Sequence, residues 1–160
     1  PPPISTLLPY TTLFRSMLLV LFVFAAVPAT AKPLIQATLW HNPGCQCCAK
    51  YALYLDRHGF AVKVIDSSDL GAVFRAHAVP DKLVSCHLMT VRGYTVVGHV
   101  PVDVVQKLLR EHPDIRGISL PGMPGGSPGM GPDSRMGGPK TAPFVIYTIS
   151  EGPSKIYATR

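Results

Sequence analysis

NPGCQCC, residues 42–48, is the stretch of sequence that decides the fold, because it crowds three cysteines into four consecutive positions. Cys45, Cys47 and Cys48 supply more thiols than one disulfide requires, and a fourth cysteine, Cys86, follows later in the chain. Clustered sulfur is the donor set that a soft ion such as Cu(I) prefers. The motif therefore predicts a metal site.

Two disulfides are the ordinary expectation for four cysteines in an exported protein. The spacing argues against that pairing, because Cys47 and Cys48 are adjacent and a vicinal bridge is strained. Pairing all four cysteines would also require Cys86 to reach one of three crowded partners. A single disulfide between Cys45 and Cys48 remains open.

The N-terminal segment is set aside from fold reasoning, because targeting segments and cloning scars are not structure. Residues 1–16 contain PYTTLFRS, which reads like a translated sequencing adapter, and we interpret them as an artefact. Residues 17–31 form an apolar run ending in a small-x-small pattern, which predicts a signal peptide cleaved before Lys32. A membrane anchor is the alternative, but the run is short for a span of about 20 residues. We therefore expect a periplasmic protein with no stable anchor after cleavage.

Residues 32–160 are enough for one domain with its own core. The whole chain has 15 Lys and Arg residues against 9 Asp and Glu, and loss of Arg15 with the leader leaves a net charge of +5. The basic residues are scattered along the chain, which disfavours nucleic acid as a partner.

The elements around the motif can be predicted from hydrophobic periodicity. Residues 35–40 alternate as a strand and end at a His-Asn-Pro-Gly turn signal. Helical spacing follows, so Cys47 and Cys48 should lie in the first turn of a helix, where exposed N–H groups and the helix dipole favour thiolate. Residues 60–65 read as a second strand, and a strand-helix-strand unit of this size implies parallel pairing.

The rest of the pattern predicts an α/β fold. A second helix is predicted with Ser67 or Ser68 as its cap. Residues 86–91 and 94–100 read as a hairpin, and a third helix follows. The order βαβαββα is that of a thioredoxin fold, in which the loop entering the third strand lies opposite a Cys-x-x-Cys pair. Threading the chain in this way brings Cys86 towards the other cysteines.

The C-terminal part is predicted to be mostly loop. Residues 119–140 are rich in glycine, proline and methionine, and residues 144–149 precede a second short segment with which they form a hairpin or edge strand. Met123 and Met130 offer thioether sulfur, which suits Cu(I) in an oxidising compartment, so an accessory role is a hypothesis for both. Met136 is interpreted as filling a gap beneath the loop.

The histidines have competing interpretations. His87 either supplies a ligand nitrogen or points away from Cys86, as strand alternation would dictate. His99 binds either backbone or metal, and His41 either tunes thiolate charge or hydrogen-bonds the turn. The other three lie at helix positions far from the cluster and are interpreted as structural or solvated: His58, His77 and His112.

Four motifs follow one another along the chain: NPGCQCC at residues 42–48, SCH at residues 85–87, GHVP at residues 98–101 and LPGMPGGSPGM at residues 120–130. Together they resemble the CopG-like family of small exported metal-binding proteins, long described as a domain of unknown function and often encoded among copper-resistance genes. The resemblance covers the chain from about residue 37 to the C-terminal strands.

The resemblance implies a thioredoxin-like domain whose cysteines bind copper. Carried onto this chain, the ligands are Cys45, Cys47, Cys48 and Cys86, holding Cu(I) singly or as a sulfur-bridged multinuclear cluster. Interconversion of Cu(I) and Cu(II) would make the protein a copper oxidoreductase, and the sequence leaves open whether copper is turned over or only stored. The expected partners are copper ions and other periplasmic copper-handling or electron-transfer proteins.

Two other functions compete with copper binding. In a thiol-disulfide oxidoreductase, Cys45 would attack a partner disulfide and Cys48 would resolve the intermediate, leaving Cys47 superfluous. An iron–sulfur or zinc site with four thiolate ligands is the third candidate, and an oxidising compartment disfavours the iron–sulfur form.

Overall fold

The computed structural model describes residues 33–131, 139–140 and 142–160. The adapter-like segment, the leader with its expected cleavage before Lys32, and Met136 lie outside these residues. Within them, no helix is long and apolar enough to cross a membrane. The helices and strands in chain order are β1 (Ile35–His41), α1 (Gln46–Asp56), β2 (Phe60–Asp66), α2 (Leu70–Ala76), β3 (His87–Val91), β4 (Tyr94–Val97), α3 (Val102–Glu111), β5 (Gly117–Ser119), β6 (Val145–Ile149) and β7 (Ile156–Thr159).

The strands form one mixed sheet in the order β2-β1-β3-β4-β5-β6-β7. β1 and β2 are parallel, because the helix between them returns the chain to the same end of the sheet. β3 is antiparallel to both β1 and β4. The mixed α/β class and the order of the first seven elements are as predicted, apart from a short 3₁₀ turn (Asp81–Leu83) before β3.

Apolar side chains are buried on both faces of the sheet. On one face, Tyr51 of α1 and Leu108 of α3 are fully buried in the same cluster. On the other face, Phe74 of α2 lies in a second cluster. Successive β3 residues, Leu88 and Met89, belong to different clusters because side chains alternate along a strand. Each such buried side chain contributes about 1.5–3 kcal/mol, so α1 is held firmly against the sheet.

The cap of α2 differs from the prediction. The sequence predicts Ser67 or Ser68 at this position, whereas Asp69 occupies it and its Oδ1 accepts a hydrogen bond from Ala72 N–H at 2.8 Å. Ser67 follows directly after β2 and continues its pairing with β1, because its N–H donates to the carbonyl of His41. Asp and Ser are equally good caps, so composition alone could not choose between them.

The C-terminal hairpin is confirmed, since β6 and β7 are antiparallel neighbours. β5 was not predicted, because three residues that begin with glycine show no alternation. Gly117 pairs with Thr95 on β4 so closely that a Cβ would strike the Thr95 backbone. Glycine therefore permits this strand to join the sheet.

Candidate metal centre

The turn after β1 places three cysteines at the start of α1. Cys45 is the residue before the helix, and its side chain makes no capping hydrogen bond. Cys47 and Cys48 occupy the first turn, as predicted. Cys48 is fully buried, whereas Cys45 and Cys47 are half-buried and reach the surface. The cluster therefore has an inner sulfur and two outer sulfurs.

Cys86 joins this cluster from a distant part of the chain. It immediately precedes β3, whose residue His87 pairs with His41 at the end of β1. The antiparallel register thus brings Cys86 to the end of the sheet at which α1 begins. The four cysteine Sγ atoms lie within 4.8 Å of one another, which is the approach that the threading predicted.

The cysteines include one disulfide, between Cys45 and Cys48. Cys47 and Cys86 are free thiols, so the single bridge that the sequence left open is present and a pair of bridges is not. The Sγ atoms of Cys45 and Cys47 are 3.5 Å apart. The backbone of Cys86 lies against the bridge, since the Cys86 carbonyl oxygen is 3.5 Å from the Cys48 Sγ. Reduction by two electrons would make four thiols available in one pocket.

Two buried histidines form the inner wall of the pocket. His87 Nδ1 lies 3.3 Å from the Cys86 Sγ, and His99 Nε2 lies 3.0 Å from the same sulfur. Cys48, Cys86 and these two histidines each place one ligand atom within 4.8 Å of the others. The alternative in which His87 points away from Cys86 is wrong, since the two side chains are in contact. The reason is that β3 begins at His87, so Cys86 lies before the strand and its side chain does not follow the alternation of the strand.

A backbone carbonyl orients the ring of His99. His99 Nδ1 lies 2.6 Å from the carbonyl oxygen of Pro128. A carbonyl only accepts hydrogen bonds, so Nδ1 carries the proton and donates it. Nε2 then presents its lone pair to Cys86, which is the tautomer that a metal ligand needs. Of the two interpretations of His99, the backbone contact is observed, and it leaves the other nitrogen facing the sulfur.

Burial controls the protonation of these groups. Burial, reinforced by the nearby Cys47, raises the pKa of Cys86 to about 12, so Cys86 is a neutral thiol near pH 7. Burial also lowers the pKa of His87 well below 6.5, with nearby His99 adding to the effect. The pKa of His99 is lowered for the same reason, burial. Both imidazoles are therefore neutral, whereas a metal ion would have to displace the proton of Cys86.

The environment of His87 fits a ligand role. Among the described residues, its Nε2 is a buried side-chain atom with no hydrogen-bond partner. The nitrogen that faces the cluster is Nδ1, which lies 3.3 Å from the Cys86 Sγ, whereas the unpartnered Nε2 costs about 1–3 kcal/mol. Thiolate sulfur with imidazole nitrogen is a donor set that suits copper and zinc.

The Gly-Pro-Met loop covers the start of α1. A Cβ on Gly129 would lie 2.9 Å from the carbonyl oxygen of Cys47 and 2.9 Å from the backbone nitrogen of Tyr51, and its φ is +81°. Only glycine permits this contact without displacement. Met130 is fully buried, whereas Met123 is 41% exposed. The loop is therefore packed into the protein at Met130 and open to solvent at Met123.

The remaining histidines serve local structure. His41 Nδ1 lies 2.7 Å from the carbonyl of the next residue, so it hydrogen-bonds the turn, as one of its two interpretations predicted. His58 packs on Tyr54, and His77 packs on Trp40. His112 follows α3 in the left-handed conformation. None of the three lies in the group of residues around the cysteines.

Sequence reasoning missed two contributors to the pocket. The ring of Tyr51 lies 4.7 Å from that of His87 and 5.3 Å from that of His99, measured between centroids. Its position three residues after Cys48 on α1 was a signal that could have been used. The Pro128 carbonyl had no signal, since any residue has a carbonyl and only the packed loop aims this one.

Fold and pocket together define a small α/β protein with a cysteine-rich, histidine-backed pocket at one end of its sheet. The chain is similar to two solved structures described as copper resistance protein CopG. The sequence identity to form 2 is 31%, and the match covers 81% of this chain and 99% of that structure with a TM-score of 0.70. The sequence identity to form 1 is 32%, and the match covers 81% of this chain and 98% of that structure, again with a TM-score of 0.70.

A family model described as protein of unknown function, DUF411, matches residues 83–130, which include Cys86, His87 and His99. No protein with a curated description matches the chain. At this identity and coverage the chain belongs to the CopG-like family, which confirms the resemblance of the four motifs.

Proposed function

We propose that this protein binds copper as Cu(I) through Cys45, Cys47, Cys48 and Cys86, and thereby contributes to copper resistance. The observation that carries the proposal is the convergence of four sulfur atoms from two distant parts of the chain within 4.8 Å. Similarity to a copper resistance protein over most of the chain supports copper as the metal. Three sulfurs in one turn of helix would be redundant for a simple disulfide.

The cysteine pair controls how many ligands are available. Reduction of the Cys45–Cys48 disulfide by a dithiol reductant consumes two electrons and two protons and yields two thiols. With these reduced, Cys47 and Cys86 complete a set of four sulfur donors, singly or shared between ions in a cluster. The neutral imidazoles of His87 and His99 stand beside this set as nitrogen donors, which favours interconversion of Cu(I) and Cu(II) because nitrogen also suits Cu(II).

The first four strands and three helices are proposed to be a thioredoxin-like core. The order β2-β1-β3-β4, with one parallel and two antiparallel pairs, supports this assignment. So does the position of the Cys-x-x-Cys pair, residues 45–48, at the start of α1. β5, β6 and β7 would then extend that core at one edge.

The protein is also proposed to be periplasmic, with residues 1–16 as a sequence artefact, residues 17–31 as a signal peptide and residues 32–160 as the mature domain. The apolar run and its small-x-small ending support export. A disulfide is also typical of an oxidising compartment. Amino-terminal sequencing of the exported protein would test the boundary, and an intact leader on the purified chain would contradict it.

Anaerobic titration of the fully reduced protein with Cu(I), against a competing chromophoric chelator, tests the copper proposal directly. We expect Cys47→Ser and Cys86→Ser each to lower the amount of tightly bound Cu(I). Replacing His99 by Gln should weaken binding less than loss of a sulfur does, and His58→Gln, at an exposed histidine, should bind as the parent does. Only trace copper in the parent, or a Cys47→Ser variant that equals it, would refute the proposal.

Thiol-disulfide exchange is the second candidate, and the observed Cys45–Cys48 disulfide is the observation that favours it. Cys45 is the more exposed member of the pair and would attack a partner disulfide, while buried Cys48 would resolve the intermediate. A disulfide-reduction assay separates the two functions. Under this alternative Cys47→Ser remains active and Cys45→Ser does not.

A further inference from the structure

A row of aromatic rings runs from the pocket to the surface along α1. The ring centroid of Tyr51 is 4.7 Å from that of His87, and the next contact, between Tyr51 and Tyr54, is stacked at 6.0 Å. Tyr54 in turn lies 4.5 Å from His58. Tyr51 is fully buried, Tyr54 is half-buried and His58 is exposed. Spacings of three and four residues place these side chains on one side of the helix.

Hydrogen bonds hold both tyrosine rings in place. The Tyr51 hydroxyl donates to the carbonyl of Val100 at 2.8 Å, and the Tyr54 hydroxyl accepts from the N–H of Val102 at 3.0 Å. A carbonyl is not a base, so this hydrogen bond gives the phenolic proton of Tyr51 no group to which it could transfer. The ring is therefore suited to bridge an electron between neighbours without itself being oxidised.

Tyr54, the half-buried member of this row, also lines a recess of about 380 Å³ on the outer face of α1. Its side-chain walls are Lys50, Leu53, Tyr54 and Arg57, and the backbone of two glycines closes it. Leu53 is 55% exposed. An apolar centre with a basic rim is the usual form of a docking surface for a partner whose own contact face is acidic, because opposite charges steer the encounter.

We propose that this recess is the docking site of a one-electron carrier protein with an acidic contact face, and that Tyr51 and Tyr54 connect the carrier to the copper site. The proposal rests on the proposed copper function. In the exchange, the oxidised carrier gains one electron as Cu(I) becomes Cu(II), and no bond forms or breaks in the protein. The reverse transfer uses the same route. Close packing of the rings provides the route, since electron tunnelling is faster through packed atoms than across gaps.

The docking surface is tested without copper. The protein is titrated with hexacyanocobaltate(III), a redox-inert trianion, while its amide resonances are followed by NMR. We expect the largest shifts at Leu53, Tyr54 and Arg57, and their loss in Arg57→Glu. Arg92→Glu is the matched control, because Arg92 is exposed in the turn at the other end of β3 from the pocket. Shifts that are absent from the recess, or unaffected by Arg57→Glu, overturn the docking site.

The electron route is tested by stopped-flow oxidation of the Cu(I)-loaded protein. Ferricyanide serves as the anionic oxidant and tris(phenanthroline)cobalt(III) as the cationic one. Arg57→Glu should lower the rate of oxidation by ferricyanide about three- to ten-fold and raise the rate with the cationic oxidant, because the charge at position 57 attracts or repels the oxidant during the encounter. Tyr54→Leu should slow both oxidants several-fold, whereas Tyr54→Phe, which keeps the ring but loses its hydrogen bond to the Val102 N–H, should slow both of them less than Tyr54→Leu does.

Tyr94→Leu is the control for loss of a tyrosine, since Tyr94 contacts the Pro113 carbonyl and lies outside the row. A Tyr54→Leu protein that binds copper normally and reacts at the parent rate overturns the route alone. A protein that binds no copper overturns the proposed function and the route together, while the NMR titration still reports on the docking site.

Discussion

The N-termini of α1 and α2 differ in whether a side chain accepts a hydrogen bond from the exposed backbone N–H groups of the first turn. Asp69 caps α2 with a 2.8 Å hydrogen bond to Ala72 N–H. Cys45 holds the equivalent position of α1 and makes no capping hydrogen bond through its side chain. A good cap contributes about 1 kcal/mol, and exposed N–H groups at a helix start attract negative charge. α1 lacks the stabilisation that a side-chain cap gives, and the positive end of this helix faces the cysteine sulfur atoms.

The largest expected effect comes from changing Cys45. In Cys45→Ser the hydroxyl can cap α1, whereas in Cys45→Ala nothing can. Both variants should lose tight Cu(I) in the chelator-competition titration, because both lack the same sulfur. In urea unfolding under reducing conditions the Ser variant should be more stable than the Ala variant by about 1 kcal/mol. Equal stability would show that the start of α1 does not need a cap.

The loop over α1 gives the next largest effect. Gly129→Ala should destabilise the protein by about 2–4 kcal/mol, because a Cβ at positive φ adds strain and also meets the backbone of Cys47 and Tyr51. Gly93→Ala is the control, since Gly93 has a φ of +84° and open space around it, and should cost only about 1–2 kcal/mol. Urea unfolding measures both values. Equal losses would mean that the loop does not press on the helix.

Acidification should lower the free energy of unfolding, because His87 and His99 are buried beside the start of α1. The folded-state pKa of His87 lies below 6.5 because of burial, so under acid the unfolded chain binds a proton that the folded chain does not. Stability is therefore complete above pH 6.5 and falls below it, by up to about 1.4 kcal/mol per pH unit for each histidine that stays neutral.

Urea unfolding of the metal-free protein at pH 7.5, 6.5 and 5.5 measures this slope. The expected result is a smaller slope in His87→Gln than in the parent. Parallel slopes in the two proteins would rule out the buried imidazole as the cause.

Removal of the α2 cap gives the smallest effect and completes the comparison. Asp69→Ala should lower the free energy of unfolding by about 1 kcal/mol, because the Ala72 N–H loses its acceptor. Copper binding should not change, since α2 is absent from the pocket. A loss of copper affinity in this variant would mean that the two helix starts are coupled through β1 and β3.

Hydrophobic periodicity was sufficient for most of the fold. Alternation and helical spacing are local properties, and they predicted the first seven elements and the final hairpin. β5 escaped because Gly117 joins the sheet through a close approach to β4 that no local pattern records. The cap of α2 was misplaced because Ser67, Ser68 and Asp69 have similar intrinsic preferences, and only the extent of β2 decides among them.

For the pocket, sequence alone determined that three cysteines occupy one turn at the start of α1, because neighbours in the chain must remain neighbours in space. Tertiary structure alone decided which distant groups face them. The register of β3 on β1 brings Cys86 and His87 to that turn. Close packing of a glycine loop on α1 aims a carbonyl at His99 and so leaves one nitrogen facing sulfur. Such contacts depend on backbone positions far apart in the chain, which side-chain spacing does not encode.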